Sequence, residues 1–563
     1  MDRESNLQGA PLLRSDAEGD AKDATESGGK LSGRSALRIA VPVTIGLMVG
    51  TFLIGAAVSD QFKGNVGMLP AEPSQVGLRG AGSMSAATSA RTTAFGKELV
   101  ASSVLASSAS SQQTCLPSGD RGDGGESVPW LQIFGVGAAP PRQRDWVPEI
   151  CSVGRTSNCS HPVTWKGTVM LCLNGVAIHG VQIHTRGHSS QFLPKHQFTV
   201  TLPRAHALLG MESARTWILG TSFIDASFQR NPTAFGIYRR LGGWATETRY
   251  VNMRWNGEDF GLYYLGETVK RLIRLASLKP VQALEAAAAP GAEMPGSFLL
   301  VADWAKPGNA RVQSRMTATN FNLVYPEIGD VPASQAAHLQ RSIDEVDRRA
   351  AEGASDLAEV LDFRSFSRYF ILQELAKDVD GYAFSDFVLL RDQRLFHAAP
   401  WDFDLAFGFS CAQTYYRHVD TGKVCEGVVG WNVENARNSS VDWTAHGWQA
   451  RSLGGNKRQL FLNVWRHPGF RASFLAAWRA ARQGPLTDAA LQGIVGAQSQ
   501  AIRASAERDL RIWRPSTRCA FFPCCHPEDA MSFDTAQFHL QDFLLRRARW
   551  IDEHIAELEQ PEK

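Results

Sequence analysis

The sequence predicts an α+β fold with strands early and helices late, preceded by one membrane-spanning helix. Three observations carry this. Between residues 128 and 187 the apolar residues follow a partial period of two, broken by glycines. Toward the carboxyl end they recur at spacings of three and four, the mark of a helix with one apolar face. Residues 39–58, IAVPVTIGLMVGTFLIGAAV, form one charge-free apolar run of the length a helix needs to cross a bilayer.

Lys30, Arg34 and Arg38 precede this run and Asp60 follows it, so the positive-inside bias places residues 1–37 in the cytosol. The remainder then lies in a secretory lumen or outside the cell, as in a single-pass type II membrane protein. Cleavage as a signal peptide near Gly55-Ala56-Ala57 is the alternative, but the polar lead is long for an n-region. Residues 59–127 are rich in Ser, Ala and Gly with almost no aromatics, a composition that buries too little surface to fold and reads as a flexible stem. The chain therefore divides into a tail (1–37), an anchor (38–58), a luminal stem (59–127) and a folded domain (128–558).

Lys and Arg total 58 against 56 Asp and Glu, which leaves no field to hold a polyanion and excludes nucleic acid as an expected partner. All nine cysteines follow the apolar run, as suits an oxidising compartment, and disulfides are expected. Their spacing does not fix the pairing, and a zinc site at Cys519, Cys524, Cys525 and His526 is the alternative for that cluster. Asn158-Cys159-Ser160 and Asn438-Ser439-Ser440 fit the N-glycosylation pattern, which matters only if the domain is luminal.

In chain order, the first strands are expected at VPWLQIF from Val128, TVMLCLNG from Thr168 and VAIHGVQIHTRG from Val176. A helix-like stretch runs over 231–241. Two short apolar runs, 386–390 and 395–399, flank a turn at Asp392-Gln393 and predict a hairpin. Leu544, Ala548, Ile551, Ile555 and Leu558 predict a final helix behind a candidate cap at Asp534.

The hairpin is where chemistry concentrates. Asp380 precedes its first strand and Asp402 follows its second, so an antiparallel return brings both to the same end. Such a pair can bind Mg2+ through oxygen and leave one carboxylate to orient a hydroxyl proton. Protein kinases use this order: a catalytic Asp, a metal-binding side chain five residues on, a hairpin, then a metal-binding Asp. Here the order reads Asp380, Ser385, hairpin, Asp402.

The sequence resembles the CotH kinases, a family of atypical kinases with a reduced kinase-like fold. The resemblance is carried by Arg186-Gly187-His188-Ser189-Ser190, Pro194-Lys195, Arg230-Asn231, Arg249-Tyr250-Val251-Asn252-Met253, Asn256-Gly257 and Gly261-Leu262-Tyr263. It continues through Glu267, Glu374, Asp380-Gly381-Tyr382 and Pro400-Trp401-Asp402-Phe403-Asp404, in register over about residues 128–555. It implies an atypical kinase-like domain using ATP and Mg2+ or Mn2+, with Asp380 as catalytic Asp and Asp402 as metal ligand. Asp404 and Ser385 are further metal candidates. Arg186, Gly187, Ser189 and Ser190 form a turn suited to cover phosphates through close backbone approach and hydroxyl donors. Lys195 is the expected phosphate-binding ammonium, with Lys270 the alternative. His188 and His196 stand where the family often has Asn and Lys, and Ser385 where it has Asn.

The implied reaction is transfer of the ATP γ-phosphate to Ser or Thr of a secreted or cell-surface protein. Two alternatives are a non-catalytic binding protein on the same fold and a type II luminal glycosyltransferase. The latter shares the topology, and both Asp378-Val379-Asp380 and Asp402-Phe403-Asp404 spell its D-x-D motif. The alternation of strands and helices expected around a nucleotide-sugar site is not seen before residue 300.

Overall fold

The early alternating segments close on themselves. The computed structural model describes residues 115, 128–135, 165–187, 190, 195–221, 223, 225–276, 278, 297–303, 310–326, 331–378, 380–408, 445–453, 458–513 and 532–560. Within them β1 (Trp130–Gly135), β2 (Lys166–Leu173), β3 (Val176–Arg186), β4 (Gln197–His206), β5 (Ala214–Gly220), β6 (Thr248–Trp255) and β7 (Glu258–Glu267) form a barrel in the order β1-β2-β3-β4-β5-β7-β6. Neighbours are antiparallel except at the closure, where β1 runs parallel to β6. Two-residue turns at Asn174-Gly175 and Asn256-Gly257, with positive φ at all four residues, give the primed turns that match strand twist. Alternate residues point inward, and Leu131, Ile133, Val200, Trp217 and Trp255 fill the interior. A disulfide, as expected of some of these cysteines, joins Cys115 to Cys172 of β2. Residues 39–58, both glycosylation sequences and the other seven cysteines lie outside the described residues.

A second antiparallel sheet holds β8 (Phe298–Ala302), β9 (Arg311–Gln313), β10 (Asn320–Tyr325), β11 (Asp386–Arg391) and β12 (Arg394–Ala399), in the order β12-β11-β8-β10-β9. The expected hairpin is β11 and β12, turned by Asp392 and Gln393 with φ of 50° and 63°. Its strands are not a free ribbon, because β11 also pairs with β8. Strands are therefore not confined to the early part of the chain.

The described helices are α1 (Arg230–Arg240), α2 (Arg271–Leu275), α3 (Ala333–Glu352), α4 (Leu357–Val360), α5 (Phe363–Ala376), α6 (Gln459–Arg466), α7 (Pro468–Gln483), α8 (Asp488–Ile512) and α9 (Phe533–His554). No helix among the described residues is long and apolar enough to cross a membrane. Helix α5 starts at an Asp362 cap, whose side chain accepts from the Ser365 N–H at 2.7 Å, and it is buried along almost its whole length. Helix α9 carries the predicted apolar stripe, but its cap is Ser532, which accepts from the Thr535 N–H at 3.2 Å. Asp534 lies inside the first turn, where its charge favours the helix dipole.

Two buried ion pairs fasten these parts together. Asp509 of α8 takes the Lys195 ammonium and accepts the Leu262 N–H of β7 at 2.6 Å, tying helix to barrel. Arg547 of α9 meets Glu374 of α5 at 2.8 Å, and the Glu374 carboxylate also accepts the Gln449 and Ala450 N–H groups and the Tyr382 hydroxyl.

Candidate active site

Helix α5 ends on Lys377 in the left-handed region (φ 45°), and the chain leaves it through Asp378, Asp380, Gly381 and Tyr382. The Tyr382 N–H donates to the Tyr369 hydroxyl at 3.0 Å, and the Tyr382 hydroxyl donates to Glu374 at 3.1 Å. The carboxyl end of this segment is thus fixed twice to the buried face of α5 before β11 begins. After β12 the chain passes Trp401 into Asp402, Phe403 and Asp404. The Phe407 N–H donates to the Ala376 carbonyl at 2.7 Å, so the segments before and after the hairpin are tied to each other.

Tyr382, Ser385, Asp402 and Phe407 all have positive φ, with Asp402 at 68°. Non-glycine residues in this region cost on the order of 1–2 kcal/mol each, and such costs persist where surroundings over-determine the backbone. Their grouping in two short segments marks this end of the hairpin.

Five carboxyl groups meet there. Burial pushes Asp378 well above the usual carboxylate range, and Asp380, Asp402, Asp404 and Asp386 add to the rise. Burial likewise raises Asp404 well above that range, with Asp402 the next contributor, and raises Asp402. Asp402 and Asp404 share a hydrogen bond that raises Asp404 and lowers Asp402, as expected if the Asp404 O–H donates to the Asp402 carboxylate. Asp402 itself stays open to solvent, so protein crowds it on one side and water reaches it on the other. The Ser385 hydroxyl lies 3.4 Å from Asp402 Oδ2. Asp386 is fully buried, accepts the Tyr369 hydroxyl and is raised well above its usual range by burial. Asp303, just after β8, adds negative charge against both Asp402 and Asp386.

Arg186 supplies positive charge to this cluster. It ends β3, its guanidinium lies 5.2 Å from the Trp401 ring centroid, and its charge acts on Asp402. Tyr264 of β7 stands beside it: burial raises its phenol, and Arg186, Asp404 and Asp402 all act on it. The Tyr264 ring lies against Gly220 of β5, where any Cβ would run into it.

Of the predicted site residues, Asp380 acts electrostatically on Asp404, Arg186 acts on Asp402, Asp402 and Asp404 share a hydrogen bond, and Ser385 lies beside Asp402. Gly187 follows with φ 106°, and a Cβ there would collide with Ser190, so glycine is the residue that fits there. Ser189 lies outside the described residues. Lys195 is fully buried with its ammonium on Asp509, on the Leu262 carbonyl at 2.6 Å and over the Tyr263 ring. Lys270, the alternative lysine, is exposed at the start of α2.

Sequence reasoning missed Asp509, Asp303, Asp386 and Tyr264. Asp509 is 314 residues from Lys195 and looks like any acid on an amphipathic helix. The doubled spacing of Asp378 and Asp380 was a visible signal for a carboxylate cluster.

The donor set fits a hard divalent cation: oxygen ligands only, on carboxyls whose negative charge burial and one another disfavour and a cation would favour. Among the described residues no group of three or more His, Cys, Asp or Glu side chains is placed to hold a metal ion on its own. Mg2+ commonly takes one or two carboxylates and completes its shell with substrate phosphates and water, so the Asp402–Asp404 pair meets that need. A family model described as CotH kinase protein matches residues 183–551, which take in the end of β3, the barrel strands after it, both segments flanking the hairpin and most of α9. No curated protein matches the chain.

Proposed function

The chain belongs to the CotH kinase family, and on that premise we propose that it transfers the ATP γ-phosphate to Ser or Thr hydroxyls of secreted or cell-surface proteins. The observation that supports this is the mutual electrostatic influence of Asp378, Asp380, Asp402 and Asp404, with Arg186 acting on Asp402, in the segments flanking the β11–β12 hairpin. Asp402 and Asp404 would hold Mg2+ or Mn2+, with the Ser385 hydroxyl beside them, and the cation would screen the charge on the phosphates. Arg186 meets the phosphates with a planar fork of N–H donors, held in orientation by Trp401. Gly187 and Ser190 would lie over them. Asp380, less buried than Asp378, orients the acceptor hydroxyl and takes its proton. Lys195, paired with Asp509, ties the segment before β4 and β7 to α8.

In this proposal the domain faces a secretory lumen or the cell surface behind a membrane anchor at residues 39–58. The Cys115–Cys172 disulfide supports an oxidising compartment.

The test is incubation of the full-length protein with ATP labelled at the γ-phosphate, Mg2+ or Mn2+, and a casein-like acceptor. Metal-dependent transfer is expected. ATP binding without transfer to any acceptor or to itself would replace the kinase with a nucleotide-binding protein, a reading that the short Ser385 side chain beside Asp402 also accommodates.

A further inference from the structure

Asn231, in the first turn of α1, reaches the acidic loop that follows β12. Its Oδ1 accepts the Phe403 N–H at 2.7 Å, and its neighbour Arg230 donates from Nε to the Ala406 carbonyl at 2.9 Å. Arg230 is fully buried and paired with Asp225, whose carboxylate also accepts the Ser227 N–H at 2.9 Å, the Ser227 hydroxyl at 2.5 Å and the Arg230 N–H at 3.1 Å. The start of α1 is therefore a rigid support, and it touches the loop on both sides of Asp404.

The Phe403 N–H belongs to the peptide unit that follows the Asp402 Cα. Its direction relative to the Asp402 Cα is set by the Asp402 ψ, so a fixed acceptor for it holds one of the two rotations of a residue whose φ of 68° is already left-handed. Were that peptide free to turn, Asp402 would relax to a commoner conformation and its carboxylate would swing away from Asp404.

Building on the kinase reading, we propose that Asn231 is a positioning residue that, through the Phe403 N–H, holds Asp402 in the conformation that binds the divalent cation. It touches neither the cation nor the phosphates. Its effect is on how well Asp402 and Asp404 are aligned before the cation arrives.

The experiment compares the full-length chain with Asn231→Leu, which removes the acceptor at similar volume, and Asn231→Asp, which keeps one. Binding of Mn2+ alone and of Mn2+ with a non-hydrolysable ATP analogue is followed by electron paramagnetic resonance, and transfer is measured as a function of Mn2+. Asn231→Leu should weaken Mn2+ binding at least tenfold and move the metal-activation curve by the same factor. Asn231→Asp should stay within about threefold of wild type. Wild-type Mn2+ affinity in Asn231→Leu overturns the proposal. So do equal losses in both variants matched by equal drops in melting temperature, since that is what a purely structural residue would give. A wild-type chain that binds neither Mn2+ nor the analogue removes the kinase reading itself, whereas binding in wild type with no difference in the variants removes only the role of Asn231.

Discussion

The ammonium of Lys195 lies between Asp509 and the Tyr263 ring, while the guanidinium of Arg186 faces the acid cluster. Removing one partner of a buried ion pair leaves the other charged and uncompensated, at a cost of about 3–5 kcal/mol. Lys195→Met should therefore lower the unfolding midpoint sharply. Arg186→Met, at a partly exposed position, should leave stability within about 1 kcal/mol of wild type and weaken ATP binding at least tenfold. Urea denaturation and nucleotide titration of both variants check this, and unchanged ATP affinity in Arg186→Met would return the phosphate role to Lys195. His196, next in the chain, is buried, and burial lowers its imidazole to about 4. The native ring stays neutral where the unfolded one takes a proton, so stability is lost as pH falls from about 6.5 toward 4. The loss across that window is ~3 kcal/mol. His196→Leu should flatten it, and a pH dependence identical to wild type would show that other groups drive acid unfolding. The hairpin between Ser385 and Asp402 made the contact of those two residues legible in sequence. The partner of Lys195 was not legible, because nothing local distinguishes Asp509 from the solvated acids on its helix.

Among the elements, β5 and β7 meet at a point where side-chain size is decisive. Gly220 pairs with Tyr264, whose ring occupies the space a Cβ would need. Gly220→Ala should cost about 1–3 kcal/mol through overpacking and displace the phenol from Arg186 and the acid loop. Tyr264→Ala in the same chain should recover part of that loss, because the two sites share one contact. Denaturant midpoints of wild type, both single variants and the double variant measure the coupling, and simple additivity would show that the ring does not dictate the glycine. The hairpin of β11 and β12 was readable because its signals are local: two apolar runs and a two-residue turn of Asp and Gln. Helix α9 was readable from its stripe, though its cap was misplaced by two residues, since Ser532 and Asp534 both suit a first turn and only the backbone tells them apart. The pairing of β11 with β8 left no such trace, as the strands are separated by residues that form α3, α4 and α5.

At the scale of the whole molecule, closure of the barrel depends on β1 pairing with β6, with Trp130 opposite Asn252, and no periodicity in either segment encodes that meeting. The α+β class and the family motifs were legible; the closed barrel and the second sheet were not. Orientation in the membrane rests on residues 39–58 and their basic flank. In intact microsomes an epitope at the carboxyl end should resist protease and one at Met1 should be cut, and the reverse pattern would invert the topology. The central claim is that two carboxylates flanking one hairpin have different tasks in phosphoryl transfer. Removing a cation ligand lowers ground-state binding and reaction rate together, whereas removing the group that orients the acceptor hydroxyl slows mainly the reacting step. The most direct test measures ATP binding and transfer side by side in Asp402→Asn and Asp380→Asn. Asp402→Asn should lose both metal-dependent ATP binding and transfer, and Asp380→Asn should lose transfer while keeping most of its ATP affinity. Transfer at the wild-type rate in either variant would contradict the account.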